Sequence, residues 1–357
     1  MMCQGQGTGK HNNKTHSNEH NEMNHVGIDV SSKELVVVMS ANDKQRKAQT
    51  FENTAEGHLA LCRVLHKLPG ESRVCMEATG VYHFDLAVLL SRSDAIKVMV
   101  INPKAAHSFA KALMKRSKTD HVDASVLASY AERMPFIEWK RPSDESLGIR
   151  ALARRIAATN KIKTQVKNQL HSLEFIQETP EIVMVQTKEL IKMLDEQVAK
   201  YRESALEIIQ QSAILTQSYD FITSIKGIAN ASAIQLLGEL LVMPSDMTIK
   251  QWVAFAGLDP RQFESGSSVS KKPRISKAGN KYIRQALYMP ALVSTRFEPH
   301  IKAYYEHLQA KSGLRKMQAL CAVMRKLLHA IYGMLKNKLP FDGQKFFNMP
   351  TAEYAAN

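Results

Sequence analysis

The order of apolar runs between residues 26 and 101 most constrains how this chain can fold. Short apolar runs alternate there with amphipathic segments, which is typical of an α/β domain in which helices cover a sheet. The pattern predicts strands at 26–30, 34–39, 48–52, 74–76 and 97–101, and helices at 59–68 and 84–90. A further helix is expected to follow the last strand.

Three strands, then helix, strand, helix, strand and helix form the order of a ribonuclease-H-like domain. Four carboxylates lie at strand ends or at the start of a helix in that order. Asp29 interrupts the first apolar strand, and Glu77 closes the fourth, where α/β folds place their sites. Asp120 and Asp123 lie at the start of a predicted helix, three residues apart and therefore on one helical face. We expect all four at one end of a single sheet.

Carboxylates gathered in this way can bind hard divalent cations. A buried, unpaired Asp29 would cost several kcal/mol, which a cation would offset. A salt bridge to lysine or an exposed strand face would also explain Asp29, and either Asp120 or Asp123 alone could cap its helix. Both cannot cap it. Two Mg²⁺ ions about 3.5–4 Å apart could serve phosphoryl transfer, activating the attacking oxygen and stabilising the leaving one.

The charge balance favours a polyanion as partner. The chain has 48 Lys and Arg against 34 Asp and Glu, a formal net charge of +14. Between Arg261 and Lys345 there are 17 basic residues against four acids. The four cysteines are scattered without a Cys-x-x-Cys pair, which argues against zinc and disulfides and fits a reducing cytoplasm. No apolar run approaches membrane-spanning length, so we expect no membrane partner.

Composition and pattern predict several regions along the chain. Residues 1–25 are polar and are expected to be a disordered leader, with Met23 as a candidate natural start. The α/β domain is predicted over 26–142, a helical coiled-coil domain over 143–217, a mostly helical domain over 218–345 and a tail over 346–357. The fold class is thus α/β plus all-α.

The central helices carry two apolar seams separated by Glu178-Thr179-Pro180. The seams predict either an antiparallel hairpin packed on its own domain or a coiled coil with another subunit, that is, a homo-oligomer. Farther on, the segment from Ser224 to Ala229 resembles the turn of a helix-hairpin-helix, in which backbone N–H groups meet a phosphate. A second glycine usually stands where this chain has Ala229.

A polar, glycine-punctuated loop at 256–268 precedes a strongly basic segment. Ser265 is followed by glycine, which would let a phosphate approach, and an activated hydroxyl can act as a nucleophile. In an expected helix, Lys277, Lys281 and Arg284 would share one face and track a phosphate backbone, although a solvated face is the alternative. The basic residues predicted to bind nucleic acid are Lys271, Lys272, Arg274, Lys277, Lys281 and Arg284.

Four motifs in order resemble the DEDD-type insertion-sequence transposases, over residues 26–341. The motifs are GIDVSSKE, MEATGVY, KTDHVDA and GLDPRQFESGSSVSKKPRISKAGNKYIR. The resemblance implies a RuvC-like domain and a C-terminal transposase domain flanking a coiled coil. It implies that Asp29, Glu77, Asp120 and Asp123 bind Mg²⁺. Ser265 would form the covalent link to DNA, with Ser267 and Ser268 as competitors.

The resemblance also implies partners and a reaction. Family members resemble tetramers in which the acids of one subunit work with the serine of another, and a non-coding bridge RNA pairs with donor and target DNA. The expected function is Mg²⁺-dependent DNA recombination for a mobile element in the bacterial cytoplasm, at the nucleoid. The alternatives are a RuvC-type nuclease that uses water as nucleophile, and a non-catalytic scaffold that binds RNA or DNA.

Overall fold

A computed structural model describes residues 23–41, 44–78, 82–114, 119–265 and 269–349. For residues 41, 44, 45, 262–265 and 269–273 the backbone alone is described. The predicted disordered leader falls outside these residues except at its end, where the prediction was wrong: Met23 to His25 already belong to the first strand. Most of the predicted tail also lies outside. The chain divides between Arg141 and Pro142 into two compact units, which are taken in turn.

The first unit is a mixed α/β fold. Its elements in chain order are β1 (Met23–Val30), β2 (Glu34–Ala41), β3 (Lys44–Gln45), β4 (Gln49–Glu52), α1 (Ala55–His66), β5 (Glu71–Glu77), α2 (Phe84–Leu90), β6 (Ile96–Ile101), α3 (Pro103–Ala112) and α4 (Asp120–Arg133). The sheet order is β3-β2-β1-β5-β6, with β4 also pairing with β2. Strands β1 and β2 are antiparallel, whereas β1, β5 and β6 are parallel. This arrangement is consistent with a ribonuclease-H-like domain.

The strand positions were predicted well, and the differences have simple causes. Strand β5 begins at Glu71, three residues before the predicted start, because the polar Ser72 is buried and Arg73 pairs with Lys97. Polar residues at a strand's start give no apolar signal. A helix was predicted after the last strand, and two follow it there, α3 and α4; the short strand β3 was not predicted.

Each face of this sheet is covered by a different set of helices. Alternate residues of β1 and β5, among them Ile28 and Met76, pack with Leu61 and Leu86 of α1 and α2. Cys75 points to the other face, where it packs with Leu127 of α4. The face covered by α4 is the one that bears on function.

The second unit is mostly helical. Its elements are α5 (Asp144–Leu173), α6 (Glu181–Gln210), α7 (Ala213–Thr223), α8 (Asn230–Leu240), α9 (Ile249–Ala256), β7 (Pro260–Ser265), β8 (Val269–Ile275), α10 (Lys281–Phe297), α11 (Pro299–Ala310), α12 (Lys316–Asn337) and α13 (Gly343–Phe346). Within the described residues of both units, no helix has the length and apolar character needed to cross a membrane.

Helices α5 and α6 form an antiparallel hairpin that packs on its own unit. Ile156 of α5 and Val198 and Ala205 of α6 belong to one hydrophobic core that also contains Leu237 of α8 and Leu327 of α12. A coiled coil with another subunit stays a prediction. So does the boundary at 217/218, since residues on both sides of it contribute to this core.

The turn between α7 and α8 packs against α10. Gly227 has φ of +113°, and a Cβ there would lie 2.4 Å from Ser294 Oγ. The Ser294 hydroxyl donates to the Lys226 carbonyl at 2.7 Å. Gly227 is therefore required both for the turn and for close approach of α10. The likeness to a helix-hairpin-helix that contacts phosphate stays a prediction.

Candidate functional site

Asp29 is the last residue but one of β1, and Glu77 is the last residue of the neighbouring parallel strand β5. In the register of β1 and β5, Gly27 pairs with Cys75 and Ile28 with Met76, so Asp29 and Glu77 come next on their strands. Side chains alternate along a strand, which places Asp29 on the same face as Gly27 and Glu77 on the same face as Cys75. Because Cys75 faces α4, both carboxylates lie on the α4 side.

Helix α4 lies directly on β1 because residue 27 is glycine. A Cβ on Gly27 would come within 2.0 Å of the Ala124 carbonyl oxygen and 2.2 Å of the Ala128 nitrogen. Only a hydrogen atom fits between this strand and this helix. The contact puts the first turn of α4, with Asp120 and Asp123, near the end of β1 that carries Asp29.

The N-cap of α4 is Thr119, not an aspartate. Its hydroxyl accepts a hydrogen bond from the Val122 N–H at 3.3 Å, and its carbonyl accepts from the Asp123 N–H at 2.9 Å. The alternative in which Asp120 or Asp123 caps the helix is therefore wrong. Two carboxylates in the first turn are favourable for the helix dipole and are available to a cation.

The other three acids affect Asp29 electrostatically. The pKa of Asp29 is raised from 3.8 to about 6, first by burial and then by the charges of Asp120, Asp123 and Glu77. Asp29 and Asp123 are half-buried, and Asp120 is exposed. Carboxylates close together at a partly buried edge repel one another, and a bound cation would reduce that repulsion.

The donor set fits a hard divalent cation. All four candidate ligands are carboxylates, which suit Mg²⁺ and its partly retained water shell. In the part of the chain described, no three His, Cys, Asp or Glu side chains already stand close enough to enclose an ion. We therefore regard the acids as gathered at the edge of the sheet but not closed around an ion.

Ser265 ends the first strand of a two-stranded hairpin, where the sequence had predicted a loop. Strands β7 and β8 pair antiparallel, and Ser265 opposite Val269 is the last pair before the connection. Alternating polar residues concealed these strands. Ser267 and Ser268 lie outside the described residues, as do the side chains of Lys271 and Lys272.

The base of this hairpin, at the end far from Ser265, is tied together by hydrogen bonds. Ser276 donates from its hydroxyl to Asp259 Oδ1 at 2.5 Å and from its N–H to the Asp259 carbonyl at 2.8 Å. The Lys277 N–H donates to the Gly257 carbonyl at 3.0 Å. These bonds fix where the two strands leave the helical core.

The predicted basic helix begins later than expected, so Lys277 is not part of it. Lys277 has φ of +52° and Gly279 φ of +150°. Helix α10 begins at Lys281, and the Asn280 side chain caps it by accepting from the Tyr282 N–H at 2.8 Å. The shared helical face of Lys277 with Lys281 is therefore wrong. Lys277, Lys281 and Arg274 are all exposed.

Arg284 is held by backbone carbonyls. One terminal nitrogen donates to Ala256 at 2.8 Å and to Gly279 and Asn280 at 3.3 Å. Burial lowers the pKa of this guanidinium from its usual value. The geometry assigns Arg284 to holding the segment around the hairpin base, a role that its spacing to other basic residues did not reveal.

Sequence reasoning also missed a buried ionic network behind the hairpin. Glu239 is 1% exposed and receives two hydrogen bonds from Arg154, at 2.7 and 3.1 Å. Asn280 donates to the same carboxylate at 2.6 Å, so the cap of α10 is itself anchored. The sequence did contain a signal for this network. Glu239 interrupts the apolar residues of α8, and a buried acid requires a partner for its charge.

Two family models match this chain. A transposase model named for the DEDD transposases of IS110 matches residues 26–174, and a model described as the transposase IS116/IS110/IS902 family matches residues 219–306. Together they cover about two thirds of the chain. The four acids lie within the first match and Ser265 within the second.

Similar proteins come from three bacteria. The pilin gene-inverting protein of Moraxella bovis is 29% identical over 323 residues, 89% of this chain and 97% of that protein. The protein of the same name from Moraxella lacunata is 28% identical over the same shares. An uncharacterised 43.6 kDa protein of insertion element IS110 from Streptomyces coelicolor is 26% identical over 116 residues, 32% of this chain and 28% of that protein.

Proposed function

Since this chain belongs to the IS110 family of insertion-sequence transposases and is a DNA transposase, we propose that it cuts and rejoins DNA through a serine-linked intermediate. Asp29, Glu77, Asp120 and Asp123 would hold Mg²⁺, and Ser265 would be the nucleophile. The observation that supports the proposal most is the placement of Asp29 and Glu77 at adjacent strand ends, with the helix that begins at Asp120 packed on Gly27 beside them.

The acids supply the charge that holds the metal beside the phosphate. When bound, Mg²⁺ would offset the negative charge that develops on the scissile phosphate. The chain's part is to present carboxylates from two strands and one helix at fixed positions. The packing of α4 on Gly27 supports this, because it sets where Asp120 and Asp123 stand relative to Asp29.

Ser265 would attack the phosphorus of one DNA strand. A bond forms between the serine oxygen and phosphorus, and the bond from phosphorus to one deoxyribose oxygen breaks. The serine's proton ends on the leaving hydroxyl, so the phosphoester count is unchanged and the step can reverse. Such reversal would suit a chain whose relatives are named pilin gene-inverting proteins, since inversion requires rejoining.

A guide RNA would account for the choice of DNA sequence. The surplus of basic residues after Arg261 supports backbone contacts, which by themselves carry no sequence information. We propose that a bridge RNA supplies this information by base pairing with donor and target. Sequencing RNA that co-purifies with the protein tests this; the expected product is a structured transcript from DNA beside the gene.

Exposed apolar residues on α6, in the helical hairpin of α5 and α6, support a homo-oligomer, either a dimer or a tetramer. Ile182, Leu190 and Met193 of α6 are 64%, 40% and 55% exposed and lie on one face at helical spacing. A patch of this kind commonly marks an interface. Changing Leu190 and Met193 to lysine should lower the mass measured by light scattering, whereas lysine at the exposed Ala199, on a different face of the helix, should not.

Covalent trapping tests the role of Ser265. The protein is incubated with Mg²⁺ and labelled DNA carrying the flanks of its gene, with RNA transcribed from the same flanks, and adducts are separated under denaturing conditions. We expect an adduct in the wild type and in Ser270→Ala, a serine of the partner strand, but none in Ser265→Ala. An undiminished adduct in Ser265→Ala would contradict the assignment.

The trapping experiment also separates the serine mechanism from hydrolysis. A RuvC-type nuclease would cut DNA with the same acids and with water as nucleophile, leaving no adduct. Cleavage that persists in Ser265→Ala, at the wild-type rate and without an adduct in either protein, would indicate that reaction. An adduct lost in Ser267→Ala or Ser268→Ala, but kept in Ser265→Ala, would move the nucleophile along the same hairpin.

A further inference from the structure

The end of the second unit contains a cavity to which the proposed reaction assigns no role. Its volume is about 270 Å³, and it lies between α12 and the segment that follows it. One wall is a face of α12 that carries Lys326, His329 and Gly333. The other wall is the segment after α12, here called the returning segment, which contributes Leu339, Phe341 and Phe346. It falls beyond residue 306, where the second family match ends.

Hydrogen bonds hold the returning wall in place. Lys338 ends α12 in the left-handed region, with φ of 54°, and turns the chain back. The Leu339 N–H donates to the Met334 carbonyl at 3.1 Å, and the Phe341 N–H donates to the Ser224 hydroxyl at 2.9 Å. The cavity is therefore a formed feature of the fold.

A lysine ammonium is held at this cavity by aromatic rings. Lys326 Nζ lies 4.0 Å from the ring centre of Tyr304 and 5.1 Å from that of Phe346. Among the described residues no carboxylate forms a salt bridge with Lys326. Asp342 and Lys345 also line the cavity; one oxygen of Asp342 caps α13, and the other lies 3.7 Å from Lys345 Nζ, so this carboxylate already has a cationic partner. The cavity thus combines apolar walls with a cation that has no acidic partner.

We propose that this cavity binds a single unpaired nucleotide of the nucleic acid on which the protein acts. The base would enter between Gly333 and the wall of Leu339 and Phe341, and its phosphate would meet Lys326. Nucleic-acid proteins commonly place unstacked bases against aromatic and apolar side chains and hold the phosphate with a cation. A volume near the lower end for ligand sites suits one base.

The established activity favours a nucleotide over other flat anions. The chain is a DNA transposase with a net charge of +14, so nucleic acid is the polyanion at hand. An unpaired base could come from DNA or from RNA, and the two share the chemistry that this cavity would recognise. Comparing deoxyribonucleotides with ribonucleotides distinguishes these sources.

Gly333 offers a way to fill the cavity without straining the fold. A Cβ at this position meets nothing within 4 Å, so Gly333→Trp would project its ring into open space. Gly333→Ala is the matched control, because it adds only a methyl group and improves helix propensity. Circular dichroism and thermal unfolding of both variants establish that the fold is kept.

Ligand-observed NMR with the full-length protein tests the proposal. Saturation transfer to base protons of dAMP, dTMP and AMP is measured for the wild type and both variants. We expect transfer with the wild type and Gly333→Ala and a loss of at least about fivefold with Gly333→Trp. Equal transfer in Gly333→Trp, or its abolition in the wild type by equimolar inorganic phosphate, would overturn the base-binding role.

Lys326→Met tests the phosphate contact separately while keeping the side chain's bulk. Affinity for dAMP should fall roughly tenfold, the equivalent of about 1.4 kcal/mol, while affinity for deoxyadenosine should be unchanged. Equal weakening of both ligands would overturn the role of the ammonium. Because these experiments measure binding and not DNA cutting, a negative result leaves the proposed serine reaction intact.

Discussion

The acids and the serine are positioned by different kinds of structure. Asp29 and Glu77 end central strands of a six-stranded sheet, and α4 packs on those strands without space for a single methyl group at Gly27. Ser265 ends a strand of a sheet that has two strands among the described residues, and hydrogen bonds around Asp259 and Ser276 hold the base of that sheet. Packing of the hydrophobic core fixes the positions of the acids, whereas the backbone hydrogen bonds between β7 and β8 fix the position of Ser265.

This difference has a consequence for mechanism. A two-stranded ladder is marginally stable by itself, so its base determines how well its far end is placed. The acids need no such anchor, because moving them would require repacking the core. The acid edge is the edge of the sheet that carries Asp29 and Glu77, with Asp120 and Asp123 beside it. We therefore expect changes at the acid edge to affect metal binding and folding together. Changes at the base of the β7–β8 hairpin should mainly affect the attack of Ser265 on DNA.

The largest effect is expected from removing one acid. Asp29→Asn keeps the side chain's size but removes the charge most affected by its neighbours, and DNA cutting should fall at least about 100-fold. The control is Asp94→Asn, an exposed acid in the turn before β6, which should leave the rate unchanged. Strand cleavage by Asp29→Asn at the wild-type rate would defeat the metal-site proposal.

A methyl group at residue 27 should be the next most damaging change. Gly27→Ala forces the backbone of α4 away from β1, and we expect the first unit to lose about 1–3 kcal/mol of unfolding free energy. Gly333→Ala should be neutral or stabilising, because its methyl group meets no atom. Denaturant titration of the two variants makes this comparison. Equal stability would mean that α4 can shift at little cost.

Loosening the hairpin base should have a smaller and more selective effect. Lysine is one bond shorter than arginine, so in Arg284→Lys the ammonium falls short of the three carbonyls that one arginine nitrogen contacts, and the yield of covalent adduct should fall roughly tenfold. Mg²⁺ binding, measured by calorimetry, should be unchanged. Arg296→Lys, at an exposed arginine of the same helix, is the control. Equal loss of metal binding in Arg284→Lys would show that the two regions are not separable in this way.

The sequence was more informative about the acid edge than about the hairpin. Apolar runs and their order predicted the strands that carry Asp29 and Glu77, and three-residue spacing predicted that Asp120 and Asp123 share a helical turn. What the pattern lacked was Gly27, whose importance comes from a backbone contact across the core. No periodicity in sequence reports such a contact.

The hairpin was harder to predict because its structure depends on tertiary hydrogen bonds. Polar strands β7 and β8 look like a loop, and Lys277 looks like part of a helix until Asn280 is seen to cap the helix later. Arg284 looks like a phosphate ligand because sequence shows its charge and not its three carbonyl partners. Its predicted contact with nucleic acid stays a prediction, and Arg274, Lys277 and Lys281 are better exposed for that role.

The last expected effect, reduced by solvent screening because Asp29 is only half-buried, is a pH dependence of stability that arises from the four acids. The pKa of Asp29 is near 3.8 unfolded and about 6 folded, so the folded protein binds the extra proton in between. The contribution of this carboxyl to stability is complete below pH 3.8 and is lost as the pH rises through about 6. Metal-free wild type should therefore lose stability relative to Asp29→Asn between these values.

Mg²⁺ should restore the stability of the wild type more at pH 7.5 than at pH 5, because a cation favours the ionised carboxylates. Urea titrations of both proteins, with and without Mg²⁺, measure the difference. A difference that is constant with pH would mean that neither burial nor the other three acids raise the pKa of Asp29 in the folded protein.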